Sequence, residues 1–311
     1  MTAPRRADPA PRPPARRALG FAAIVVAVAI WAGWILLVRA SIGGALSTWD
    51  VAALRYGVPA LALAPVWLRR GLLPRGVGAL RLAAMTLGWG APFAMFGAQG
   101  LRSAEPAFFA AIVPGGMPLW AASIMAAALG ARFALRARLG LALVAAALAA
   151  AILGAWAAGE DANLAGAPWL FAASASWAAY AVAFRGSGLS PLEATAIVAA
   201  WSTLLLAPLG FVMESRLPAL SPAELATQVL LHGVVSGFVS VLAFATAVRE
   251  FGAARAAGFS ALVPVTAAAA AVPLLGEVPG VATAAAILAA SAGVALFNTA
   301  PPPTMRAGAG D

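Results

Sequence analysis

Long apolar stretches alternate along this chain with short clusters of arginine, glycine and proline. A helix needs about 20 mostly apolar residues to cross the hydrocarbon of a bilayer. Cutting the chain at its charge and turn clusters predicts ten such spans: Leu19–Val38, Trp49–Leu68, Val77–Leu101, Ala107–Leu129, Leu139–Ala158, Leu164–Phe184, Leu192–Met213, Ala226–Val248, Ala256–Leu275 and Val281–Phe297. Links such as Arg69-Arg70-Gly71 and Arg185-Gly186-Ser187-Gly188 make successive spans close neighbours and leave no room for a domain outside the membrane. Proline interrupts the spans themselves, at Pro59, Pro65, Pro92, Pro114, Pro118, Pro208, Pro264 and Pro273. Each removes a helix hydrogen bond and kinks the helix. Alanine runs, as in Ala145–Ala151 and Ala267–Ala271, let helices approach closely in lipid.

The pattern is doubled. Trp31, Trp34 and Arg39 recur as Trp177, Tyr180 and Arg185 at an offset of 146 residues, in the stretches WAGWILLVR and WAAYAVAFR. Pro118 and Gly130 match Pro264 and Gly276 at the same offset. Leu46, Ser47, Asp50 and Ala53 match Leu189, Ser190, Glu193 and Ala196 at an offset of 143, a difference that a longer loop absorbs. An odd number of spans per half inverts the second half relative to the first. The expected fold is therefore all-α and integral to the membrane. Ten transmembrane helices form two inverted five-helix repeats, residues 19–158 and 164–297, between disordered tails at 1–18 and 298–311.

Composition excludes the soluble alternatives. The chain is 63% hydrophobic and 10% charged, against about 25% charged in soluble domains, and its mean hydropathy is +0.91. A pI near 11.6 invites a nucleic-acid reading, but the arginines sit at segment ends and form no basic face, so no nucleic-acid partner is expected. With no cysteine and one histidine, disulfides, thiolate zinc sites and His-rich metal sites are excluded. No cofactor is expected. Arg16-Arg17 before an apolar stretch has the look of a signal n-region, but that stretch carries Trp31, Trp34 and Arg39 and outruns an h-region. It reads as an uncleaved first span.

Arginine placement sets the orientation. With the N-terminus inside, 16 arginines lie at cytoplasmic ends, and Arg39, Arg55, Arg102 and Arg216 lie outside. The positive-inside rule then places both termini in the cytoplasm of a multi-pass protein of the inner membrane.

Ionisable and aromatic residues within spans are the candidate chemistry, because a charge in hydrocarbon costs about 2.5–3.5 kcal/mol on insertion scales. Trp31, Trp34, Trp177 and Tyr180 would wall a central cavity, with Arg39 and Arg55 attracting a carboxylate or other anionic group. Tyr56, Trp89, Gln99 and His232 are the other polar or amphipathic groups in or near spans. His232 is either a proton-responsive group or hydrogen-bonded filler. Asp50 and Glu193 open spans two and seven, where an acid caps a helix N-terminus. No G-x-S-x-G, H-E-x-x-H, paired-aspartate motif or P-loop is present, so neither an enzyme nor an ATP-driven pump is expected.

The chain resembles the EamA-type transporters of the drug/metabolite transporter superfamily. The resemblance is carried by Trp31 and Arg39, by the stretch Leu46 to Tyr56, and most strongly by Ala253 to Glu277 with Pro264, Gly276 and Glu277. It runs from about Leu19 to Phe297. The first half departs from the family pattern: Gly130 is followed by Ala131 and not Glu, Arg39 stands at a usually lysine-like position, and Arg55-Tyr56 replaces Arg-Phe. Either Pro114 or Pro118 answers to Pro264. The resemblance implies a ten-helix inner-membrane carrier, often an exporter of amino acids or other small metabolites. The expected function is secondary transport of such metabolites by alternating access, with a small-molecule metabolite and the lipid bilayer as partners. A homodimer is compatible with the sequence. The alternatives are a polytopic enzyme acting on a lipid-linked substrate, and a membrane interaction or sensor protein.

Overall fold

A computed structural model describes residues 14–42, 44–251 and 259–304, and among these it is helical, with no strand beyond a single bridge between Arg132 and Thr304. The first half comprises α1 (Pro14–Ile42), α2 (Thr48–Ala62), α3 (Ala64–Arg70), α4 (Ala79–Trp89), α5 (Ala91–Leu101), α6 (Pro106–Leu129) and α7 (Leu135–Ala157). The second comprises α8 (Asp161–Arg185), α9 (Pro191–Leu209), α10 (Pro222–Gln228), a π-helical stretch Val229–Val239, α11 (Ser240–Phe251), α12 (Val263–Leu275) and α13 (Val281–Asn298).

Local chemistry sets the ends. Ser47 and Asp50 exchange side-chain and backbone hydrogen bonds in a capping box at the start of α2, and Ser190 with Glu193 does the same at α9. Helices α6 and α12 both stop at a left-handed glycine, Gly130 (φ 61°) and Gly276 (φ 70°), a conformation costly for any residue with a Cβ. The matched sequence positions therefore adopt matched backbone shapes.

Each predicted span falls on helix, but several are not single rods. Seven helical segments are individually long and apolar enough to cross a membrane, and α2 with α3, bent by 70°, makes an eighth. The predicted second span breaks at Leu63, before Pro65, and the third breaks at Gly90 into α4 and α5. The ninth was expected from Ala256, but its helix begins at Val263 after a short 3-10 turn, and residues 252–258 lie outside the described set. Helix α1 starts at Pro14, five residues before the expected Leu19. Of the expected disordered tails, residues 1–13 and 305–311 lie outside the described residues. Thr304 pairs with Arg132 through backbone bonds of 2.9 and 3.1 Å.

Contacts between the halves are reciprocal. Helix α1 packs on α11 while α8 packs on α4 and α5; α1 meets α12 while α8 meets α6; α2 pairs with α9 and α7 with α13. In lipid such seams are held by close packing. At the α7–α13 crossing a Cβ on Gly140 would stand 2.6 Å from the Gly293 carbonyl oxygen, so the two backbones meet directly. The outer surface is apolar, with Leu61, Leu153 and Leu288 exposed, as a lipid-facing protein requires.

Candidate functional site

Two turns into α2, Arg55 is only 5% exposed. Its guanidinium carbon lies 4.2 Å from the centre of the Trp34 ring on α1 and 5.8 Å from that of Trp89 at the end of α4. One terminal nitrogen donates to the Ser236 hydroxyl on the π-helical stretch. Among the described residues no carboxylate pairs with Arg55. Desolvated cation–π contacts contribute about 2 kcal/mol, which offsets part of the cost of burying the charge but leaves it without a counter-ion.

The aromatic wall continues beyond Arg55. Trp89 stacks on Phe93 at 4.6 Å and lies 5.2 Å from Trp177 and 5.8 Å from Tyr180. Trp34 stacks on Phe93 at 6.1 Å. The Tyr56 hydroxyl donates to the Trp89 carbonyl at 2.6 Å, occupying an acceptor beside the Gly90 break. The amide that the break exposes, Ala91 N–H, donates to Ser202 Oγ of α9 at 3.1 Å. Side chains from both halves thus close round one cation.

His232 is fully buried on the π-helical stretch, with Nε2 3.3 Å from the Ser41 hydroxyl. Its Nδ1 and the Trp34 Nε1 are buried with no hydrogen-bond partner among the described residues. Ser236 follows His232 by four residues, so both face the α1–α2 side. A π-helical turn is rare and recurs at functional sites. Here Gly233 and Gly237 let it lie against α2: a Cβ on Gly237 would stand 2.6 Å from the Arg55 carbonyl oxygen.

Arg39, expected as a free cation at the cavity mouth, is instead bound at the end of α1. It donates to Glu277 Oε1 at 3.0 Å and to the carbonyls of Leu101 and Arg102 at 3.0 and 3.3 Å. Nearby, Glu105 N–H donates to Asn163 Oδ1 at 2.9 Å, and Asn163 Nδ2 donates to Glu160 at 2.7 Å. Partial burial raises the Glu105 carboxyl above the ordinary range, and repulsion from Glu160 and Glu277 adds to it, against the opposing pull of Arg39 and the Asn163 bond.

Of the residues singled out in the sequence, Trp34, Arg55, Tyr56, Trp89, Trp177 and Tyr180 come together. Trp31, one turn before Trp34, is not in contact with this cluster's rings and packs on Phe244 of α11 at 5.2 Å. Gln99 is half-buried on α5, and its side chain makes no hydrogen bond to this group among the described residues. Sequence reasoning missed Phe93, Ser236 and the pairing of Glu277. Phe93 follows Trp89 by four residues and Ser236 follows His232 by four, and that helical spacing was the available signal. A separate cleft of about 140 Å³, lined by Ile42, Thr48, Arg102, Glu214 and Arg216 among others, opens beside the α1–α2 link. It is smaller than the roughly 300 Å³ at which ligand sites begin.

Comparison with known proteins bears on this arrangement. Residues 164–299 match the model of the EamA-like transporter family. No curated protein matches the chain. Thirteen chains of solved structures do. One, a crystal structure described only as that of a protein, is 20% identical over 91% of this chain and 96% of its own, with a TM-score of 0.55, and shares the fold.

Proposed function

We propose, from the premise that residues 164–299 form an EamA-like transporter segment, that the whole chain carries small solutes across the inner membrane by alternating access. The observation that carries this reading is Arg55: a buried, carboxylate-free cation held by α1, α2 and α4 of one half and the π-helical stretch of the other. Intramembrane charges mark solute pathways, and carrier sites lie where two repeats meet at interrupted helices. The break at Gly90 and the reciprocal packing of the halves support two inverted repeats of five spans. The arginine distribution supports cytoplasmic termini. On that orientation the Arg39–Glu277 pair lies at the outer face, and in this reading it helps to hold the site closed on that side. Neither ATP nor a metal enters the reading.

The test is flux without nucleotide. Liposomes containing the purified chain are loaded with a defined mixture of small metabolites, and the solutes released are identified by mass spectrometry. Release of some solutes above protein-free liposomes, lost in Arg55→Gln, is expected. No release beyond the protein-free control overturns the carrier reading.

A further inference from the structure

We propose that the Arg55 site takes an organic monoanion, a monocarboxylate with an apolar body, and discriminates against zwitterions and cations of the same shape. The inference rests on the carrier reading and names the charge of its substrate. The charged group at the site and the unpartnered indole N–H can only donate. Arg55 has only donors, and it spends one of them on Ser236. Trp34 Nε1, a donor by nature, is buried without a partner, and His232 Nδ1 is buried without one as well. With the Trp34 ring 4.2 Å from the guanidinium carbon, the ring covers one face of the cation. The remaining edge nitrogens are the fork that grips a carboxylate. Phe93, Trp89, Trp177 and Tyr180 continue the wall with ring surface, which suits an apolar body.

An ammonium group on the same ligand has no counter-ion there. Every described carboxylate lies at a helix terminus or in a link; among them, Asp50, Glu193 and Glu224 sit in capping boxes, and Glu214, Glu250 and Glu277 are paired with arginines. The Trp34 and Trp89 rings already hold the Arg55 cation, which repels a second positive charge. A dicarboxylate is disfavoured for the complementary reason, since one arginine neutralises one carboxylate.

Four probes with one phenyl body decide it: 3-phenylpropionate, phenylalanine, phenethylamine and 3-phenylpropanol. Binding to the purified full chain in detergent is read from quenching of tryptophan fluorescence and from thermal shift. The anion is expected to bind more tightly than the other three by about tenfold or more. Arg55→Gln should reduce it to the level of the alcohol, while Arg55→Lys should keep the rank order at weaker affinity. If Arg55→Gln does not yield folded protein, the wild-type ranking and Arg55→Lys decide alone. Equal or tighter binding of phenylalanine or phenethylamine overturns the charge assignment, as does an unchanged affinity for the anion in Arg55→Gln, or no binding by any probe. In each of those cases the mixed-metabolite flux still decides separately whether the chain is a carrier.

Discussion

Arg39 at the end of α1 and Glu277 just beyond α12 are joined by a 3.0 Å ion pair that spans 238 residues of sequence. Both side chains are about a quarter exposed, at 26% and 24%, so the bare pair contributes about 1 kcal/mol. Breaking it from one side costs more, because Glu277 Oε2 is buried and unpartnered. Arg39→Gln and Glu277→Gln should each speed labelling of a cysteine at buried Ser41 by an impermeant thiol reagent, by about fivefold. The double variant should label no faster than the faster single one. Unchanged labelling in both single variants would remove the pair from any role in closure.

Orientation is open to the same chemistry, since the chain has no native cysteine. Ala158, Glu214, Leu73 and Ala134 are all exposed, the first two in links that the arginine distribution puts outside and the last two in links that it puts inside. Cysteines at the first two should label in intact cells, and cysteines at the last two only after lysis. Labelling of Leu73→Cys in sealed cells would reverse the topology.

The two tryptophans of α1 should separate in function. Trp34 lies under Arg55, whereas Trp31 packs on Phe244. Trp34→Ala should weaken substrate affinity by roughly tenfold, from a loss of about 1–2 kcal/mol of ring contact. Trp177→Ala should act in the same direction, and Trp31→Ala should leave affinity within about twofold. The check is apparent affinity in proteoliposomes, with insertion confirmed by size-exclusion profile. Equal losses at Trp31 and Trp34 would mean that the wall extends further along α1.

How much of this was legible follows from the physics of each feature. Span positions were readable because lipid demands long apolar runs, and the capping boxes were readable because Ser47 with Asp50, and Ser190 with Glu193, satisfy local bonds. The repeat pointed to Trp34, Trp177 and Tyr180, whose rings the structure brings into one wall, but it also nominated Trp31, which packs on Phe244 of α11. Arg39 looked like a free charge because its partner, Glu277, is remote in sequence and sits in a link. The break at Gly90 was legible only in part: Pro92 marked a kink in Val77–Leu101, but the acceptor that compensates the freed amide, Ser202, lies in the other half.

Glu105 gives the structure a pH signature. Its carboxyl is raised by burial first, then by Glu160 and Glu277. A raised carboxyl favours folding while protonated. Its contribution is full below the unfolded-state value and is lost as pH rises through the elevated one. Glu105→Gln should therefore raise the melting temperature at pH 7 and do little at pH 4. Differential scanning fluorimetry at both values checks this, and an equal shift at both would assign the effect to packing.

The α7–α13 seam should tolerate no added methyl. Gly140→Ala and Gly293→Ala bring a Cβ to 2.6 and 2.7 Å from the opposite carbonyl oxygen, an overpacking cost of about 1–3 kcal/mol. Gly33→Ala, where a Cβ meets nothing within 4 Å, should be neutral or stabilising by about 0.5–1 kcal/mol. Thermal melts of the three variants test the contrast.

The Ala91 amide and the Ser202 hydroxyl that receives it are 111 residues apart in the chain. During synthesis the broken third span enters the bilayer long before α9 leaves the ribosome. An unanswered amide in hydrocarbon costs several kcal/mol. The nascent first half must therefore hold that segment as an unbroken helix, or beside water, until its counterpart arrives. Biogenesis of this protein accordingly has an order: the helix at Gly90 reaches its final shape only once the second half has been inserted, and a truncated first half cannot adopt it.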